Sequence, residues 1–134
     1  MSGLILKLGP KERVLINGAV IENGDRRSKF SIVTPNANIL RLRDAIHPED
    51  ANTPVRRVCC IAQLVLTGDA DPSEAKLQIM RGIEQLQQVL KSPKCSAAFS
   101  SAIHAVEQDN YYQVLKSLRD ALQEEANILA NTVQ

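Results

Sequence analysis

The sequence predicts an α+β fold, with a small antiparallel β-sheet or partly closed barrel first and a bundle of about three to four helices after it. Three observations carry this. The first 60 residues hold five short β-prone runs separated by Gly, Asn, Pro or charge clusters. From Asp71 onward, apolar residues recur at helical spacing. The 134 residues also suffice for one core that buries roughly two thirds of the unfolded surface without disulfide staples. The expected organisation is a β-rich basic half over 1–60 and a helical acidic half over 61–134, packed on it as one domain.

Leu4 to Leu8 reads as the first strand, ended by Gly9-Pro10, where proline fixes φ and cannot donate to a ladder. Runs at Val14–Asn17, Ala19–Glu22, Phe30–Val33 and Ile39–Leu42 supply the other strands. Asn17-Gly18 and Asn23-Gly24 accept positive φ, so each marks a tight turn. The second should lift Asp25, Arg26 and Arg27 clear of the sheet on a hairpin tip.

Between Asp44 and Pro54 the composition is polar and broken by Pro48, Asn52 and Pro54, which predicts a loop. Val55–Cys60 is expected to be extended, with a short helix following to Leu66. Asp71-Pro72-Ser73-Glu74 joins a capping oxygen to a proline at the first helical position, starting a helix that runs to about Lys91. Its apolar stripe is Ile79, Ile83, Leu86 and Leu90. Ser92-Pro93 repeats the signal for a second helix, through Ala98, Ala102 and Val106. A third starts near Asp109, where Leu115, Leu118, Leu122 and Leu129 keep a near-heptad spacing. That seam can pack on neighbouring helices or make a homo-oligomer through the C-terminal helices.

The formal net charge is only +1, but its distribution is uneven. Residues 1–57 hold ten Lys and Arg against six Asp and Glu, a surplus of four; residues 58–134 hold six against nine, a deficit of three. A basic first half suits a polyanion, and RNA phosphate is the commonest large one. The candidate contacts are Arg26 and Arg27 on the exposed turn, Arg41 and Arg43 on one strand face, and Arg56, since Arg56 and Arg57 point to opposite faces if extended. Aromatic stacking residues are few: Phe30 is expected in the core, and Tyr111-Tyr112 as anchors of helix packing.

No apolar run approaches the roughly 20 residues of a spanning helix, and no export signal opens the sequence, so a cytoplasmic protein without a membrane partner is expected. Cys59, Cys60 and Cys95 form neither a CxxC pair nor an even set and read as reduced packing residues. Asp69 and Asp71 lack the rest of a calcium loop, and His47 and His104 lack ligand spacing. No catalytic constellation, metal site or cofactor motif is expected.

The run Asn17-Gly18-Ala19-Val20-Ile21-Glu22-Asn23-Gly24-Asp25-Arg26-Arg27, followed by Ile39-Leu40-Arg41 and Thr53-Pro54-Val55-Arg56-Arg57, closely resembles the FlbT family of flagellum-biosynthesis regulators. Tyr111-Tyr112-Gln113-Val114-Leu115, Arg119 and Glu124-Glu125 extend the resemblance along the chain. It implies a protein that associates with the 5′ untranslated leader of flagellin mRNA, represses translation and promotes decay of the message, with a FlaF-like flagellar protein as partner or opponent. Leu4-Ile5-Leu6, Val14 to Ile16 and Arg43-Asp44-Ala45-Ile46 are more faintly similar to CsrA-type RNA-binding regulators, which implies that Lys7 and Arg43 line an RNA-binding edge. The rival readings are a non-enzymatic protein-interaction module, whose acidic helices bind a flagellar partner, and a positive regulator of flagellin synthesis.

Overall fold

A computed structural model of the chain describes residues 4–17, 19–35, 37, 39–41, 46 and 48–132. It divides into two compact units, residues 1–45 and 46–134. The first carries five strands: β1 (Leu4–Leu8), β2 (Arg13–Ile16), β3 (Ala19–Glu22), β4 (Ser28–Ile32) and β5 (Ile39–Arg41). The second carries a 3₁₀ turn at Pro48–Asp50 and helices α1 (Pro54–Leu66), α2 (Pro72–Val89), α3 (Pro93–Glu107), α4 (Tyr111–Ser117) and α5 (Arg119–Thr132). The α+β order is thus as the sequence predicts. Among the described residues the strands form two small sheets without closing into a barrel.

In the first sheet β1 and β4 pair antiparallel, with Leu4 opposite Ile32, Lys7 opposite Lys29 and Leu8 opposite Ser28. In the second, β2 is central and β3 and β5 flank it antiparallel. Ile16 and Ala19 are partners across the β2–β3 hairpin, and Asn17 stands at φ 48°, as a tight primed turn requires. Leu6, Leu8 and Val14 are buried together, with Ile16 and Ile39 packed against them, so one small core joins the two sheets.

The helical unit has the larger core. Phe99, Ile79, Ile83 and Leu118 are its largest fully buried side chains. Caps define the helix starts: Asp71 accepts from Glu74 N, Ser92 from Cys95 N and Asn110 from Gln113 N. The expected strand at Val55–Cys60 is instead the first half of α1. Thr53 and Pro54 are a cap and first helical position like Asp71-Pro72 and Ser92-Pro93, with the Thr53 hydroxyl accepting from Arg56 N at 3.3 Å. Val55, Val58, Cys59 and Ala62 are buried on one face at helical spacing. A carboxylate from α5 completes this start: Glu125 accepts from the Thr53 hydroxyl at 2.5 Å and from Val55 N at 3.0 Å.

The expected third helix is interrupted at Leu118, giving α4 and α5. α4 and α5 meet at Leu118, whose N–H still reaches Val114 O while its carbonyl accepts from Leu122 N. Of the proposed seam, Leu118 is fully buried within the unit and Leu115 and Leu122 pack against the same core, whereas Leu129 is 45% exposed. Gln63, the one polar residue in an apolar run, is buried, and its amide both accepts from Ile46 N and donates to Ile46 O. No helix among the described residues is long and apolar enough to cross a membrane.

Candidate nucleic-acid interface

The site grows out of the turn after β1. Pro10 ends the strand, Lys11 follows at φ 60°, and Glu12 folds back so that its N–H donates to Gly9 O while its carboxylate accepts from Gly9 N. Asn23 closes this turn from outside. Its buried side-chain amide donates to the carbonyls of Leu8, Gly9 and Arg26 at 3.2, 2.7 and 2.9 Å. This corrects the expectation for Asn23-Gly24: β3 and β4 belong to different sheets, so the segment is a crossing connection and not a hairpin. Neither Asn23 nor Gly24 takes a positive φ. The asparagine is there for its amide, which satisfies carbonyls that a sharp turn would otherwise strand. Arg26 and Arg27 are nevertheless exposed, as expected.

A groove of about 490 Å³ opens beside this turn, lined by Lys7, Leu8, Gly9, Glu12, Arg27, Ser28, Lys29 and Arg41. Among the described residues of the sheet unit three cations are already matched: Lys11 with Asp25 at 3.0 Å, Arg13 with Glu22 at 2.8 Å and Arg41 with Glu12 at 2.6 Å. Among the described residues Lys7, Arg26, Arg27 and Lys29 have no carboxylate partner. Lys7 and Lys29 face each other directly across the β1–β4 ladder. Like charges so placed repel, which a fold tolerates more readily when an anion sits between them.

The groove therefore gathers Lys7, Arg27 and Arg41 of the residues singled out in the sequence, and adds Lys29 and Glu12, which sequence reasoning missed. Arg26 adjoins it in the chain without lining it. Arg41 is committed elsewhere, its guanidinium donating to Glu12 and to the Lys7 carbonyl. Arg43 lies outside the described residues, as do Leu42, Asp44 and His47. Arg56 belongs to the first turn of α1, where it donates to Asn52 Oδ1 at 3.3 Å and borders a separate recess beside Glu125 and Leu129.

Phe30, expected in the core, is 40% exposed, on the face of β4 opposite to Lys29. Tyr111 is buried and donates to Pro72 O, while Tyr112 is half-buried with the Lys116 ammonium 5.8 Å from its ring. The three cysteines are free and buried. Burial, then the Glu125 carboxylate and Cys60, push the Cys59 thiol up to about 12. Cys95 is also raised, first by burial and then by the Glu124 carboxylate it touches. Among the described residues no three Cys, His, Asp or Glu side chains gather as a metal site would require.

Residues 4–129 match the family described as Flagellar protein FlbT. The chain belongs to the FlbT family. Over 127 residues it is 29% identical to the probable flagellum biosynthesis repressor protein FlbT of Rhodopseudomonas palustris strain TIE-1, covering 95% of this chain and 98% of that one. The flagellum biosynthesis repressor protein FlbT of Caulobacter vibrioides strain ATCC 19089 is 25% identical over 122 residues, covering 91% of this chain and 86% of that one. A shorter stretch of 62 residues is 42% identical to a FlbT of Bradyrhizobium diazoefficiens, covering 46% of this chain and 42% of that one. No solved structure matches the chain. The groove just described lies wholly inside the stretch that matches the FlbT family.

Proposed function

We propose that this chain is a non-enzymatic repressor of flagellum biosynthesis that acts in the cytoplasm on RNA. It binds the 5′ untranslated leader of flagellin mRNA, represses translation and promotes decay of the message. Membership of the FlbT family and the repressor names of its relatives support the regulatory part. The RNA part rests on one observation, the facing Lys7 and Lys29 with Arg27 beside them on a groove that holds no counterion of theirs among the described residues. Lysine and arginine on such a surface neutralise phosphates, release counterions and give salt-steep affinity.

Titration of the protein into labelled flagellin leader RNA, and into a scrambled RNA of equal length, tests this at low and physiological salt. Preferential, salt-steep binding to the leader supports the reading; no binding to either RNA removes it. In that event the interaction-module reading takes over. An apolar recess of about 490 Å³ between α1, α2 and α5 supports it, floored by Val58, Ile61 and Leu86, with Val89 and Ile128 exposed at its rim. A FlaF-like flagellar protein is then the partner to assay first, by co-purification with the intact chain.

A further inference from the structure

The groove's uncommitted chemistry is cationic. Lys7 and Lys29 present ammonium groups on flexible stems, and Arg27 presents a guanidinium. The other polar side chains of its lining are engaged. Glu12 accepts from Gly9 N through one carboxylate oxygen and from Arg41 through the other, and the Ser28 hydroxyl donates to Arg26 O. Among the described lining residues there is no aromatic ring, and Phe30 stands on the other face of its strand. Base discrimination is made by side chains fixed on base edges, such as amides, carboxylates or an oriented arginine or lysine on guanine O6 and N7, or by rings that hold splayed bases. Among the described residues no hydrogen bond or ion pair fixes the Lys7, Arg27 or Lys29 side chain in one orientation, so none is held on a base edge.

We infer that the groove grips the sugar-phosphate backbone of a single nucleic-acid strand across about three phosphates and is indifferent to base identity. This rests on the RNA-binding reading above. The geometry is that of a clamp: two ammonium groups opposed across one ladder position, with a third cation two residues from Lys29 on the chain. Preference for a particular leader then comes from outside this groove. Its three cations answer phosphates, which RNA and DNA share, so the groove does not distinguish RNA from DNA at equal length.

The test uses the full chain and labelled 12-mers of U, A, C, alternating GA and deoxy-T, titrated across a range of salt concentrations. All five should bind within about threefold of one another, with a log–log salt slope of about −2, the value for three neutralised phosphates on a single strand. Lys7→Ala, Arg27→Ala and Lys29→Ala should each flatten that slope by about 0.7 for every 12-mer alike. A preference above about tenfold for one 12-mer, abolished by Lys7→Ala, Arg27→Ala or Lys29→Ala, would overturn base indifference while leaving RNA binding intact; the GA 12-mer is the sharpest probe, because Arg27 could fork onto guanine. Absence of binding to every 12-mer and to the leader would overturn the inference together with the reading beneath it.

Discussion

The guanidinium of Arg41 on β5 closes on the carboxylate of Glu12, with Nε at 2.8 Å and Nη2 at 2.6 Å from the same oxygen. Nη2 also donates to the Lys7 carbonyl at 2.6 Å, so one side chain ties β5, the turn after β1 and β1 itself. The side chains are 24% and 10% exposed, so removing Arg41 breaks a partly buried ion pair and its bond to the Lys7 carbonyl together. We predict that Arg41→Ala costs about 2 kcal/mol in the sheet unit, the scale of hydrogen bonds to a charged group. Hydrogen exchange should rise across residues 4–16, where Gly9 N depends on Glu12, and stay constant across α1 to α5. Unchanged exchange at Gly9 would mean that the clasp holds nothing in place.

The opposed Lys7 and Lys29 imply a trade between stability and binding. Lys29→Glu turns a repulsive cross-strand pair into an attractive one, so the β1–β4 ladder should gain about 0.5 kcal/mol. The same change places a negative charge in the groove and should weaken leader-RNA binding about tenfold or more at low salt. Thermal melting and titration on one preparation measure both. A variant that binds RNA as wild type would remove the groove from the RNA-binding reading, whatever its stability.

The strands were legible because their punctuation is local: Gly9-Pro10 and Asn17-Gly18 act on the backbone wherever the chain goes next. Lys29 was not, because its importance depends on β4 pairing with β1 across the chain rather than with its neighbour β3. Asn23 misled in another way, since an asparagine beside a glycine suggests a backbone conformation while its amide serves three carbonyls. Residues 55–60 were misread because Pro54 looked like a breaker. Proline at the first turn instead starts a helix, and the spacing of Val55, Val58, Cys59 and Ala62 already carried that period. The pairing of Arg41 with Glu12, 29 residues apart, has no local signature at all.

Gly82 sits where α1 and α2 approach closely: a Cβ there would lie 2.7 Å from Val58 Cγ2. Valine is stiff at χ1 and cannot swing aside freely. Alanine would gain up to about 1 kcal/mol in helix propensity, but overpacking costs about 1–3 kcal/mol. Gly82→Ala should therefore destabilise the helical unit in the wild-type background and become neutral or stabilising in a Val58→Ala background. An equal cost in both backgrounds would show that the Val58 contact does not set the glycine requirement.

Cys59 gives the helical unit an alkaline limit. Its thiol ordinarily titrates at 9.0 and is held to about 12 in the fold, first by burial and then by the Glu125 carboxylate and Cys60. The folded chain thus keeps a proton that the unfolded chain gives up. Its contribution to stability is complete below pH 9.0 and declines as the pH rises from there toward 12. Urea denaturation across this range should show falling stability, with a shallower decline in Cys59→Ala; part of the decline persists because burial also raises Cys60 and Cys95. Iodoacetamide at pH 8 should leave Cys59 unmodified in the native chain and alkylate it in urea, since only the thiolate attacks. Rapid native alkylation at Cys59 would show that the thiol is neither buried nor protonated, and the alkaline limit would need another source.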